Sequence, residues 1–305
     1  MSGRTKRIIY QVVDLILWIG ALAGVLLLLL LTVPSVTVWE YVACGGLIVC
    51  ILLRIPALVH ECGHLLFGAL SGMKVNAVLL SFVRFSRGSK PKIVGPSNAD
   101  GETELFPADG KNVRTKLIVS ALGGGIMNLI FGGVLLALYL ALPYNCGLLF
   151  AAMLSLFNLH DGLRALYPAS LPAGSTDGGF ALGLIKKKPE EEVALRVAQA
   201  QGILFSGSFS DIPKELFTVP VVREDLPARH ALLLLQGQYL LSAGDSEGAR
   251  AALERLLSLE EYLTAETKAE AGRYLSYLNG EPFVPAENLF RGISELERSL
   301  AQQKE

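Results

Sequence analysis

The chain has 305 residues, 51% hydrophobic and 18% charged, with a formal net charge of −1. A soluble domain carries roughly 25% charged residues, and near-neutral charge gives no basic field for nucleic acid; disordered, collagen-like and disulfide-stapled classes are excluded by composition as well. The charges divide unevenly, 22 in residues 1–185 and 33 in the remaining 120. The split reads as a membrane-embedded domain over 1–185 joined to a water-soluble domain over 186–305.

Arg4, Lys6 and Arg7 precede an apolar run over 8–33. The run is longer than the roughly 7–15 apolar residues of a signal peptide, so it predicts a retained transmembrane helix. A second apolar stretch covers 38–71. As one helix it would be about 51 Å long, against a hydrocarbon core of about 30 Å. Either it tilts and protrudes, or it breaks near Arg54-Ile55-Pro56 where proline removes a donor. Residues 74–86 are rich in Val, Leu and Phe, and Gly, Pro, Ser and Asn punctuate the chain up to Asn112. That pattern predicts one or two short strands forming a hairpin at the membrane surface. Two further spans follow at 117–142 and 147–167.

Loop charge orients these spans. Residues 72–116 hold eight Lys or Arg, the N-terminus three and Lys186-Lys187-Lys188 three more, whereas 34–37 and 143–146 have none. The asymmetry puts the N-terminus, the hairpin and the C-terminal domain in the cytoplasm, with four spans between. The expected location is a bacterial cell membrane.

The last third carries helical periodicity over 228–244, 245–259, 264–280 and 286–303. Gln201-Gly202 and Gln236-Gly237 lie 35 residues apart, close to the tetratricopeptide period. Leu233, Gly237, Gly244-Asp245, Ala249 and Leu253 resemble the small and large positions of that repeat, although its closing proline is missing. A tetratricopeptide-like array and an unrelated helical bundle both fit. The fold class is therefore mainly α: a polytopic membrane protein of about four transmembrane helices with a small membrane-associated β-hairpin, followed by an all-α soluble helical-repeat domain. Cys44, Cys50, Cys62 and Cys146 contain no CxxC pair and read as small buried hydrophobes.

The chemistry centres on His60-Glu61-Cys62-Gly63-His64. On a helix, positions i and i+4 share a face, so both imidazoles reach one Zn²⁺. Glu61 lies about 100° round the helix, where its carboxylate serves as general base rather than ligand. Ionisable groups inside an apolar span are costly and functional by default. The other acids of the apolar half are Asp14, Glu40, Asp161 and Asp177, besides four in 72–116. Asp177 follows a turn-rich stretch after the last span.

Three motifs resemble the site-2 protease family of intramembrane zinc metalloproteases over about residues 38–185. The first is the His60–His64 string. The second is Gly123-Gly124-Gly125-Ile126-Met127-Asn128, similar to the family's Gly-Pro-x-x-Asn with glycine at 125 in place of proline. The third is Pro172 followed by Asp177-Gly178, similar to Asn-x-x-Pro-x-x-x-x-Asp-Gly. Its asparagine would fall at Ala169, or at Ala165 if Pro168 is the matching proline, and Asn158 is a distant substitute. The resemblance implies Asp177 as third zinc ligand and cleavage of transmembrane proteins or small hydrophobic peptides near the cytoplasmic face; His160-Asp161 is a rival ligand source or else a pair that caps or kinks the end of a helix. Asn128 is either interhelical glue or an amide donor to a developing oxyanion.

A transmembrane substrate must unwind before its carbonyls can react, and the 74–86 segment is either a strand offering an edge for it or a plain loop. The helical domain is expected to bind a protein partner or a tail of the substrate. The alternative function is a membrane scaffold or peptide-binding protein with a structural zinc.

Overall fold

The structure is a computed structural model that describes residues 3–32, 37–52, 54–80, 83–86, 90–93, 101–143, 145–171, 174–218, 221–286 and 290–302. Among these, eleven α-helices and six short strands are present. Contacts divide the chain into two units. One comprises Met1–Ser71, Val75–Leu105 and Ile118–Leu182; the other comprises Gly72–Lys74, Phe106–Leu117 and Gly183–Glu305.

In the first unit, α1 (Gly3–Thr32), α4 (Val113–Ala141) and α5 (Cys146–Leu166) contain helices long and apolar enough to cross a membrane. The 38–71 stretch is broken: α2 (Val38–Leu52) and α3 (Ile55–Leu70) diverge by 51° and make a fourth span if counted together. The break falls just before Pro56. Arg54 adopts a left-handed φ of 58°, and proline then opens α3, where a missing donor costs no helical bond. Helix α2 starts with Thr37, whose backbone N–H donates to Glu40 Oε2 at 2.8 Å. This is half of a capping box, so the buried Glu40 has a structural task.

Helix α5 packs between its neighbours. Its Leu149, Met153, Leu154 and Phe157 form a buried cluster with Ala43 and Leu47 of α2, and Trp18 of α1 joins it. Ser155 Oγ donates to Gly132 O of α4 at 2.7 Å. Outward-facing Leu15, Ile16, Ile19 and Leu30 of α1 stay exposed, as lipid contact requires.

The expected hairpin is larger than composition suggested. Strands β1 (Met73–Leu80), β2 (Val83–Ser86), β3 (Lys92–Ile93) and β4 (Gly101–Pro107) form one sheet in the order β3-β2-β1-β4. β1 and β2 pair antiparallel from Ala77 opposite Ser86 to Leu80 opposite Val83. The 74–86 segment is thus interior to the sheet, and β3 and β4 are its edges among the described residues. The Gly- and Asn-rich composition hid β4, whose Thr103, Leu105 and Phe106 were too few to register as a strand. A two-residue hairpin, β5 (Ser170–Leu171) with β6 (Gly174–Ser175), leads into α6 (Asp177–Ile185). Pro172 of the third motif lies outside the described residues.

The second unit is helical: α7 (Pro189–Ser206), α8 (Pro227–Ser242), α9 (Ser246–Leu257), α10 (Ala265–Leu278) and α11 (Arg291–Gln302). Its core runs from Val193 and Leu204 through Leu232 and Leu253 to Tyr274 and Leu300. Gly237 and Leu253 mark the close approach of α8 and α9, where a Cβ on the glycine would stand 2.8 Å from leucine carbons. Asp245 caps α9 by accepting from Gly248 N at 2.9 Å. Helix α11 packs on α7 and α8. A polar network crosses this core: Gln238 Nε2 donates to Glu270 and to the Tyr274 hydroxyl, both at 3.1 Å, and that hydroxyl donates to fully buried Glu297 at 3.0 Å. Arg114, at the start of α4, grips Glu192 of α7 through both terminal nitrogens at 2.5 and 3.0 Å and donates to Leu184 O at 2.5 Å.

Candidate metal centre

Helix α3 presents His60 and His64 one turn apart on one face. Their Nε2 atoms approach to 3.0 Å. Asp177, the first residue of α6, brings Oδ2 to 2.9 Å from His60 Nε2 and 3.5 Å from His64 Nε2. A tetrahedral ion with bonds near 2.0–2.1 Å holds its ligands about 3.3 Å apart, so these three atoms form a face of the size Zn²⁺ occupies. His64 Nδ1 lies 2.8 Å from Ser120 O and donates to it, which leaves the Nε2 lone pair free for a metal. The donor set fits a zinc ion.

Asp177 sits at a helix start rather than in a turn, and the sequence around it explains its position. Thr176 precedes α6; its Oγ1 accepts from Gly179 N at 3.1 Å and donates to Tyr167 O at 2.6 Å. That single hydroxyl caps the helix and ties it to the end of α5. Gly178 and Gly179 permit the approach, because a Cβ on either would collide with the carbonyl of Leu166 or Ala169.

Gly124 plays the matching part on α4. A Cβ there would lie 2.6 Å from His60 Cε1 and Nε2 and from His64 Nε2. Only glycine lets α4 roof the imidazoles so closely.

Glu61 is buried beside this face, and its Oε2 accepts a hydrogen bond from the Thr103 hydroxyl of β4. His60, Glu61 and His64 offer ligand atoms all within 4.8 Å of one another. A cavity of about 260 Å³ opens here, lined by His60, Glu61, Asp177 and Asn128 together with Tyr10, Asp161 and Arg164. Asn128 is fully buried, and among the described residues neither its Oδ1 nor its Nδ2 has a hydrogen-bond partner. A buried amide left open in a cavity wall is suited to receive a ligand.

Of the remaining sequence candidates, Asp161 lines the same cavity, but its bond is to its neighbour and not to the α3 imidazoles. His160 and Asp161 lie within α5, bonded to each other through Nδ1 and Oδ1 at 2.9 Å. The His160 ring lies 4.8 Å from the Trp18 ring, and its Nε2 lies 3.6 Å from Asp14, both on α1. Asn158 donates to Leu154 O of its own helix at 2.9 Å and does not line the cavity. Sequence reasoning missed Thr103, 42 residues from Glu61 and without any motif, and Thr176, whose role depends on a hairpin too short to leave a periodic signal. Comparison with protein-family models, with curated proteins and with solved structures returns no match.

Proposed function

We propose that this chain is a zinc-dependent intramembrane endopeptidase of the site-2 protease type. One observation carries the reading: two imidazole nitrogens and one carboxylate oxygen converge within 3.5 Å of each other, beside a buried glutamate, in a cavity among apolar helices. His60, His64 and Asp177 hold Zn²⁺, which when bound acidifies water and polarises a carbonyl. Glu61 takes a proton from the attacking water and delivers it to the departing amine. Asn128 offers its open amide to the scissile carbonyl, the role its unpartnered atoms favour over interhelical glue. Helices α1, α4 and α5 each contribute side chains to the cavity wall.

The substrate class is transmembrane segments or small hydrophobic peptides, unwound before cleavage. Strand β4, an edge of the sheet that touches Glu61 through Thr103, supports pairing with such an extended segment. Positive-inside charge supports cytoplasmic termini and a cytoplasm-side site. The helical unit is assigned to binding a partner protein or a substrate tail, and a tetratricopeptide-like hairpin fits the close α8–α9 pair.

The test compares wild type with Glu61→Gln. Membrane-peptide fragments measured by mass spectrometry should appear only with wild type, and both proteins should hold about one zinc. Equal fragment patterns would instead support a scaffold with a structural ion.

A further inference from the structure

Strand β4 does more than close the sheet. Thr103 and Leu105 are two residues apart and so project from the same face of the strand. Glu61 and Gly68 are seven apart, two turns, and share a face of α3. The two faces meet twice. Leu105 fits over Gly68, where a Cβ would stand 2.5 Å from Leu105 Cδ1, and Thr103 Oγ1 donates to Glu61 Oε2. The opposite face of β4 is held too: Glu104 accepts from Asn76 Nδ2 at 2.8 Å and from Arg84, and Glu102 lies 3.4 Å from Arg84 Nη1. Contacts on both faces fix the register of β4, and with it the place of the Thr103 hydroxyl.

We propose that Thr103 is a positioning residue for Glu61, holding one carboxylate oxygen so that the other faces the metal-binding face; the inference rests on the endopeptidase reading above. A glutamate has three side-chain torsions, and burial alone does not choose among its rotamers. A hydroxyl donor on one oxygen does choose, because a carboxylate accepts at both oxygens and a threonine offers a single O–H. Among the described residues, Thr103 is the hydrogen-bond donor to this carboxylate. An error of about 1 Å in a reacting group costs up to about a hundredfold in rate.

Thr103→Val removes the donor while keeping the shape and the β-branched fit to a strand. Thr103→Ser keeps the donor and removes the methyl group. With a peptide that the wild type cleaves, assayed beside Glu61→Gln, Thr103→Val should lower kcat about 10- to 100-fold. KM and zinc content should stay unchanged, and Thr103→Ser should recover most of the rate. A Thr103→Val protein that turns over like wild type, beside an inert Glu61→Gln, overturns the role of Thr103 and leaves the peptidase standing. Equal impairment of both variants, or loss of zinc in the valine variant, makes the contact merely structural and overturns the proposal. Cleavage by Glu61→Gln at the wild-type rate removes the base, and the proposal with it.

Discussion

Gly124→Ala isolates the packing beneath the metal-binding face. The added Cβ would stand 2.6 Å from three imidazole atoms, where atoms in contact prefer about 3.5 Å. Relief requires a shift of about 0.9 Å, larger than the roughly 0.2 Å tolerance of a metal–ligand distance. Moving α4 as a body is restrained by α5, because Leu166 Cγ already lies 2.6 Å from the Cβ position of Gly125 and Leu159 Cγ 2.9 Å from that of Gly132. Overpacking of this kind costs about 1–3 kcal/mol, which corresponds to roughly a 5- to 150-fold loss of zinc affinity. Intrinsic helix preference works the other way, since alanine favours the helix by about 1 kcal/mol over glycine. Gly133→Ala is the control: the same helix and the same substitution, with nothing among the described residues within 4 Å of the new atom. Competition with a chromophoric chelator in detergent, on both variants and wild type, measures the difference. Equal zinc affinity for the two alanine variants would refute the placement of α4 over His60 and His64.

Asp177→Ala should lose zinc and cleavage together, whereas Asp161→Ala should keep the ion, because Asp161 is bonded to His160 and not to the α3 imidazoles; metal analysis of both decides it. The Arg114 guanidinium lowers the Glu192 carboxyl below its ordinary 4.5. The lowered pKa means that this stabilisation is complete above the unfolded value and fades as pH falls through the folded one. Proteolysis of α7 should therefore accelerate below about pH 4.5 in wild type, and Arg114→Ala should flatten that dependence. Burial pushes the Glu270 carboxyl up, with Arg273 opposing and Glu297 adding to the rise. Here the sign reverses: the folded state favours the protonated acid, so stability declines as pH rises through the folded pKa. Glu270→Gln should raise the melting temperature of the helical unit at pH 7, and an unchanged or lower value counts against the network as drawn.

Apolar periodicity and loop punctuation located the long helices because span length and charge are one-dimensional properties. The 51° divergence of α2 and α3 follows from Pro56 but needed the left-handed Arg54 to become definite. His60, Glu61 and His64 were legible because their spacing is local to one helix. Asp177 came from likeness to a motif, and its cause, the Thr176 cap with two glycines under the end of α5, appears only in three dimensions. Glu104 and Thr103 sat in a stretch read as loop, since alternating short residues between glycine and proline lack a hydrophobic period. Arg114 was counted as a loop charge; its bidentate grip on Glu192 spans 78 residues, beyond any sequence window.

The proposed ligands are distributed along the chain in a way that bears on its biosynthesis. His60 and His64 emerge from the ribosome early, while Asp177 follows His60 by 117 residues. At about 5–20 residues per second that interval lasts roughly 6–23 s, during which α4 and α5 must enter the bilayer. Until α6 forms, a nascent chain offers only two imidazoles and holds an ion poorly. Competence to cut membrane segments would thus arise only after the last span is in place, so a stalled or misinserted chain would remain harmless to the proteins inserting beside it.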